Sequence, residues 1–394
     1  MTDSRRKIAI ISPHREYMGD TRSLPILAKG LAERGHRVDL LQSWREWEHV
    51  DTSRGDSGVR IVNLRTRWFA PVLPNISKIS KWASYRVSML VLFIAMMPGL
   101  ITYLYRSKPD ILIVRMLTGP TILAIKLFRP RTKILISSSG LPRDSRIRRY
   151  LWSFIYDRAD GYVVAAPGVA QMVSEISGIS ASDISVLWEA VLDDEMTELS
   201  NEPPTHRWLV DGDVPVVVGL GRLTRQKDFG TLIRAFAKVR ASTPARLVIF
   251  GEGEDRDSLV DEISKLGLEE DADLPGFIAN PYSHLRKCDV YVLSSIWESS
   301  NHSLTEAQGL GVPSVTTDCP SGQREIAMDG ETALVVPVRD ADAMADAIGQ
   351  LINDRSLAER ISTNALNNSG RFRPESVARE WELKINAVIN DSIL

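Results

Sequence analysis

The chain has 394 residues, 44% of them hydrophobic and 25% charged, with a formal net charge of −2. That length suits two domains that each bury a core, and the composition excludes a disordered, collagenous or disulfide-framework protein. The two cysteines, Cys288 and Cys319, stand far apart and outside any C-x-x-C or Cys/His spacing, so no zinc site is expected and a reducing compartment fits. Met1–Lys7 is short and polar and lacks the apolar core of a signal peptide, which makes a cytoplasmic location the expectation. Short apolar runs then alternate with helical periods. Strands are expected at Lys7–Ser12, Arg37–Gln42, Val59–Leu64, Asp110–Arg115, Lys133–Ser138, Gly161–Ala166 and Ser185–Trp188. Helices fall between them, the first at Ser23–Arg34 with Gly35 as its stop. Runs such as IAIIS and ILIV carry no polar alternation, the mark of a parallel sheet covered on both faces.

The small net charge hides an asymmetry. Residues 1–170 hold 28 Lys/Arg against 13 Asp/Glu, and the rest hold 20 against 37. No acid occurs between Ser57 and Pro109, where Arg60, Arg65, Arg67, Lys78, Lys81, Arg86, Arg106 and Lys108 stand. A basic half points to a polyanionic partner (a membrane surface, a phosphorylated acceptor or nucleic acid) or else to an ordinary solvated face. Within this region Val87–Tyr105 is nearly long enough to span a bilayer, but Pro98-Gly99 is expected to interrupt it. The preferred reading is a partly buried helix pair beside Trp68, Phe69, Lys78, Lys81 and Trp82, residues that suit a headgroup layer. A true span is the other reading.

Residues 193–213 are acidic and polar, carry Pro203-Pro204 and read as a linker. Strands then resume at Val214–Gly221, Ala245–Gly251, Asp289–Ser295, Pro313–Asp318 and Thr332–Val338. Helices follow at Asp340–Asn353, Ser356–Asn368 and from Pro374 to about Asn390. Val377, Trp381, Ile385, Val388 and Ile389 fall on one side of the last helix. Asp193-Asp194-Glu195 and Glu269–Asp273 read as solvated linker and loop, so no metal is expected. The fold class is α/β, with two doubly wound parallel sheets in tandem. The domains are expected at 1–192 and 214–372, joined by the linker 193–213, with the helix of 373–394 packing back on the first.

Three segments carry candidate chemistry, each following a strand of the second domain. In the first, Gly219 and Gly221 precede Arg222 and Lys227, two cations five residues apart that converge on a diphosphate or are surface charges of a turn. In the second, Ser294–Ala307, a polar loop leads into a helix start, where free amides favour phosphate oxygens. Glu306 there either accepts hydrogen bonds from a ribose diol or forms a capping box with Ser303, and Glu298 reaches toward a sugar. In the third, Thr316–Ile326, the Ser321-Gly322 backbone cradles oxygens or is a plain turn between strand and helix. All three face one rim of the sheet.

The order G-R-L-x(3)-K-D-F, G-E-G, G-F-x(2)-N-P-Y, S-S-x-W-E-x(7)-E-A and G-V-P-x-V-x-T-D-C-P-S-G resembles the retaining GT-B glycosyltransferases of the group 1 family, related to glycogen and sucrose-type synthases. It is most similar to bacterial enzymes of surface polysaccharide or lipid-linked oligosaccharide synthesis. The match spans Val214–Val338 and is thinner in the first half, at Ile8–Gly19, Gly30–Leu40 and Pro98–Val114. The resemblance implies two Rossmann-like domains facing a cleft. It also implies Arg222 and Lys227 as donor-diphosphate binders, Glu298 near the donor sugar and Glu306 at the ribose. Further along it implies Phe277-Ile278 at the nucleobase, and Gly19, Gly221 and the helix start Ser300, Asn301, His302, Ser303 and Leu304 at the phosphates. Three departures stand out: Ser299-Ser300 after the first glutamate, Tyr17-Met18-Gly19-Asp20-Thr21 in place of Gly-Gly-Ala, and Ser137-Ser138-Ser139-Gly140 where many relatives place a histidine. His14 and His302 are either substitutes or incidental.

The expected activity is transfer of a hexose or N-acetylhexosamine from a nucleotide sugar, a UDP-sugar first among candidates, to a glycan or polyprenyl-diphosphate-linked acceptor. Arg222, Lys227 and Glu298 are the expected catalytic set; no cofactor or metal is required. Peripheral contact with an anionic membrane at its inner face is expected, and nucleic-acid binding is not, because no reader motif occurs. A nucleotide-sugar epimerase and a non-catalytic GT-B binding protein remain as alternatives. A dinucleotide oxidoreductase is disfavoured, because Gly251-Glu252-Gly253 lacks the full phosphate-loop spacing.

Overall fold

The computed structural model describes residues 5–13, 19–43, 46, 47, 50, 58–64, 95–115, 131–138, 149, 150, 159–210, 212, 214–298, 300–320 and 323–390. The chain divides into two compact units, Met1–Ala190 with Pro374–Leu394, and Val191–Arg373.

The first unit is built on β1 (Lys7–Ile11), β2 (Arg37–Gln42), β3 (Val59–Asn63), β4 (Ile111–Arg115), β5 (Lys133–Ser138), β6 (Gly161–Val164) and β7 (Ile184–Val186). All pair in parallel, in the order β3-β2-β1-β4-β5-β6-β7. The apolar run of β1 serves both faces. Ile8 and Ile10 join a core with α1 (Gly19–Glu33), while Ala9 and Ile11 join one with the helix over 95–107. The order reverses between β1 and β4, so the ends of these strands flank a switch point, the usual ligand position of a doubly wound sheet.

Helix α1 starts four residues ahead of the expected Ser23, which places Pro25 inside it. Its partner is the C-terminal helix, Pro374–Asn390, whose Val377, Trp381, Ile385 and Val388 are buried in the α1-side core. Gly30 makes the approach close: a Cβ there would lie 3.0 Å from both the Ala378 Cβ and the Pro374 carbonyl oxygen. Polar bonds fix the same pair, since Arg34 Nε donates to Glu382 Oε2 at 2.7 Å and His36 Nε2 meets Glu382 Oε1 at 3.0 Å. Burial alone would raise the Glu382 carboxyl, but the bonds and charges of Arg34 and His36 outweigh it and hold that group below its ordinary value.

Helix continuity differs from expectation at Pro98-Gly99. Residues 95–107 are helical through both positions, and Thr102 Oγ1 donates to the Pro98 carbonyl at 2.7 Å. A Cβ on Gly99 would sit 1.8 Å from the Leu64 carbonyl oxygen, so this glycine serves the helix's approach to the chain after β3 rather than a break. Residues 87–94 and Trp68, Phe69, Lys78, Lys81 and Trp82 lie outside the described residues. Among those described, no helix is long and apolar enough to cross a membrane.

The helix over 95–107 is anchored to β2 by a buried carboxylate. Asp39 accepts from Arg60 Nε at 2.9 Å, from Arg60 Nη2 at 2.8 Å and from the Tyr103 hydroxyl at 2.5 Å. Burial pushes the Tyr103 phenol far up, and the Asp39 bond and charge add to it, so the hydroxyl stays a donor. Tyr103→Phe is expected to lower the unfolding free energy by about 2 kcal/mol, the scale of a buried bond to a charged group. A denaturant midpoint equal to the parent's would show that the bond contributes nothing.

The second unit carries β8 (Val216–Leu220), β9 (Arg246–Phe250), β10 (Ala272–Gly276), β11 (Val290–Leu293), β12 (Ser314–Thr317) and β13 (Leu334–Val336). These are also parallel, ordered β10-β9-β8-β11-β12-β13. All twelve expected strands are present within two residues at their ends. β10 is the addition, and it overturns the reading of Glu269–Asp273 as wholly loop. It lies at the edge, where Pro275 lacks no ladder bond that a neighbour needs, and its register shifts between Asp273 and Gly276. Residues 193–213, read as a linker, contain the helices Asp194–Ser200 and Arg207–Val210 and are grouped with this unit. Asp193 caps the first of them, its carboxylate accepting from the Met196 amide at 3.0 Å.

Candidate active site

The loops after β8, β9, β10, β11 and β12 all leave the carboxyl edge of one parallel sheet, and β8 and β11 flank its switch point. The loop after β8 runs from Gly221 to Asp228 and feeds the helix Phe229–Ser242. Glycines after β9 seat it: a Cβ on Gly251 would lie 1.8 Å from the Gly221 carbonyl oxygen, and one on Gly253 2.1 Å from that of Leu223. Gly221 N donates to the Phe250 carbonyl at 3.0 Å and Leu223 N to that of Glu252 at 2.9 Å. Gly251-Glu252-Gly253 thus joins two loops. Gly221 in turn gives passage to the stem of Lys227, whose Cε would stand 2.9 Å from a Cβ there.

Lys227 and Glu298 meet directly. Lys227 Nζ donates to Glu298 Oε1 at 2.6 Å, with the side chains only 16% and 7% exposed. Ser295 Oγ donates to the same oxygen at 2.6 Å, and Thr317 Oγ1 bonds the Ser295 carbonyl at 2.5 Å. The two loops are laced at three further points: Ser294 Oγ to the Lys227 carbonyl at 2.7 Å, Ile296 N to that of Gln226 at 2.8 Å, and Gln226 Nε2 to that of Trp297 at 3.0 Å. Arg222, from the same loop as Lys227, is exposed. Asp228 ends the loop in the left-handed region, φ 47°, and accepts from Thr231 Oγ1 at 2.8 Å. Burial raises its carboxyl above the ordinary value against the opposing pull of Thr231 and Arg234.

The helix of the second cluster spans His302–Gly309, beginning one residue before the expected Ser303. Its cap is Asn301, which makes no side-chain capping bond, so Ser303 and Glu306 form no capping box. Ser303 Oγ accepts from the Tyr291 hydroxyl at 2.8 Å instead, and Glu306, 7% exposed, accepts from the Tyr282 hydroxyl at 3.4 Å. Ser300 precedes the helix, its carbonyl accepting from His302 N at 3.0 Å, and Leu304 is fully buried. Phe277 follows β10 with 75% of its surface exposed, and Ile278 beside it is half-buried. After β12, Asp318 N donates to the Val336 carbonyl at 2.7 Å and Cys319 is buried. Ser299, Ser321 and Gly322 lie outside the described residues.

In the first unit Gly19 opens α1 behind β1. Ser137, the first residue of the Ser137–Gly140 segment, accepts from Arg115 Nη1 at 2.8 Å, and Arg115 forms a buried ion pair with Glu189. His14, Tyr17, Met18, Ser139 and Gly140 lie outside the described residues. Among those described, no group of three or more His, Cys, Asp or Glu is placed to hold a metal ion. From sequence the supporting hydroxyls Tyr282, Tyr291 and Ser295 carried no assigned role, although Tyr282 and Ser295 stand in the G-F-x(2)-N-P-Y and S-S-x-W-E motifs and Tyr291 interrupts the apolar strand DVYVLSS.

Known proteins share this fold. Residues 205–368 match the family described as glycosyl transferases group 1, and residues 21–187 match the glycosyl transferase 4-like domain. A Campylobacter jejuni relative, N-acetylgalactosamine-N,N'-diacetylbacillosaminyl-diphospho-undecaprenol 4-alpha-N-acetylgalactosaminyltransferase, is 27% identical over 67% of this chain and 73% of its own. The lipopolysaccharide core biosynthesis glycosyltransferase LpsE of Rhizobium meliloti is 29% identical over 69% and 74%. Among solved structures, HepE of Anabaena in complex with UDP and glucose superposes over 97% of this chain and 100% of its own, with TM-score 0.74 and 17% identity. At that identity the likeness establishes the fold, which is GT-B. With its two domains matched in order, the chain belongs to the group 1 glycosyltransferases.

Proposed function

We propose that this protein is a retaining glycosyltransferase that moves a hexose or N-acetylhexosamine from a UDP-sugar to a glycan or lipid-linked acceptor. One observation carries the reading: the loops after β8 and β11, either side of the switch point, bring Lys227 within 2.6 Å of Glu298, with Glu306 on the helix that follows. Arg222 and Lys227 neutralise the charge that develops on the departing diphosphate, assisted by the amides at the start of His302–Gly309. Glu306 accepts hydrogen bonds from the ribose, and the exposed Phe277 ring offers a face to the base. The acceptor attacks from the side the nucleotide leaves, which retains configuration.

UDP is favoured because HepE binds it with glucose, and a glycan or lipid-linked acceptor because the Campylobacter and Rhizobium relatives act in such syntheses. The acid-free basic stretch of residues 57–109 supports peripheral attachment to an anionic membrane at its inner face. The test is nucleotide release from a panel of UDP-, GDP- and ADP-sugars, with and without a membrane lipid extract. Release of UDP that requires the extract is the expected result. Release of equal size without any acceptor would favour hydrolysis or epimerase-type chemistry, and binding without turnover would overturn the enzyme reading.

A further inference from the structure

Tyr291 is an anomaly in its strand. Its neighbours Val290 and Val292 enter the core beneath Phe229–Ser242, whereas Tyr291 is fully buried on the opposite face, the side of helix His302–Gly309. A phenol placed in a core needs a partner for its hydroxyl. Among the described residues that partner is Ser303 Oγ alone, at 2.8 Å. Burial pushes the phenol far above its ordinary value, the bond to Ser303 opposes this, and the carboxylates of Glu298 and Glu306 add to the rise, so the group stays protonated.

Counting protons then fixes the serine. A hydroxyl has one hydrogen and two lone pairs. Tyr291 supplies its only hydrogen to a Ser303 lone pair, so the Ser303 hydrogen is left over, and no described residue accepts it. Ser303 is half-buried in the first turn of the helix, and the bond from Tyr291 arrives from β11, so the remaining hydrogen is free for an acceptor outside that bond. Without that bond the serine hydroxyl rotates among several acceptors, its own helix's carbonyls included.

We propose that Tyr291 is a positioning residue that holds Ser303 Oγ as a one-way hydrogen-bond donor to the diphosphate of the nucleotide sugar. The inference rests on the nucleotide-sugar reading above and adds a residue that touches no ligand itself. It separates this site from one where backbone amides alone bind phosphate.

The experiment measures UDP and uridine affinity by calorimetry for the parent, Tyr291→Phe, Ser303→Ala, the double variant and Ser303→Thr, with thermal unfolding beside each. Tyr291→Phe and Ser303→Ala are each expected to weaken UDP about fivefold, the scale of one neutral hydrogen bond. The double variant should be no weaker than either single one, Ser303→Thr should stay within twofold of the parent, and uridine affinity should not change. A Tyr291→Phe protein that melts earlier but binds UDP as the parent does would overturn the proposal, as would additive effects or equal losses for UDP and uridine. If the parent binds neither UDP, GDP nor ADP, the nucleotide-sugar reading fails and this inference fails with it.

Discussion

Lys227→Ala is expected to slow sugar transfer by about 10²–10³-fold, the loss typical when one preorganised donor to a developing charge is removed. The size follows from where the ammonium sits. Its stem passes over Gly221, where only hydrogen leaves room, and its head is 16% exposed and delivered beside Glu298. A largely buried cation acts on a departing diphosphate more strongly than one on a solvated loop. Removing it also leaves the Glu298 carboxylate buried with, among the described residues, the Ser295 hydroxyl on Oε1, so the alanine variant should lose stability as well. Lys227→Met keeps the stem against Gly221 and so removes lost packing as a cause, while thermal unfolding measured beside it reports the cost of the unpaired Glu298. Initial rates with the membrane lipid extract at saturation decide the matter. A folded Lys227→Met protein within threefold of the parent rate would remove Lys227 from the catalytic machinery.

The parts of this site that sequence revealed are those set by local spacing. Apolar runs without alternation marked central strands such as IAIIS and ILIV, because a parallel sheet buried on both faces demands them. Cations at 222 and 227 and glutamates at 298 and 306 were visible because each pair lies within one loop or one loop and helix turn. What stayed hidden is set by contacts across the fold. β10 reads as loop because its ADLPG carries a proline, tolerated only at an edge that sequence does not display. Gly251 and Gly253 looked like fragments of a phosphate fingerprint, yet each answers a carbonyl of the neighbouring loop within about 2 Å of its missing Cβ. Ser303 and Glu306 have capping-box spacing, but the helix starts at His302 and Tyr291 claims the serine, so the cheaper local explanation for Glu306 fails. The Asp39 carboxylate, bonded by Arg60 and Tyr103 from 21 and 64 residues away, left no pattern to read.

The Lys227–Glu298 pair makes a second large effect with opposite signs on binding and rate. Glu298→Gln is expected to tighten UDP binding about tenfold while sugar transfer falls by at least that factor. Before a donor arrives, Lys227 already spends its charge on Glu298 at 2.6 Å, in a pocket where Ser295 holds the carboxylate in place. A diphosphate gains the lysine only by displacing that carboxylate, and a competing ion pair worth about 1.4 kcal/mol costs a factor of ten in affinity. Glutamine keeps the shape and can still accept from Ser295, but it does not compete as a charge. On the proposed mechanism the rate suffers because the carboxylate assigned to the donor-sugar side is lost once the lysine has moved to the phosphates. General repulsion between Glu298 and the diphosphate would also predict tighter binding, and the double variant separates the two causes. In a Lys227→Ala background the glutamine should bring no gain if the exchange runs through the lysine, and the full gain if repulsion alone is responsible. A single Glu298→Gln protein that binds UDP no better than the parent would show that the pair does not restrain the donor site at all.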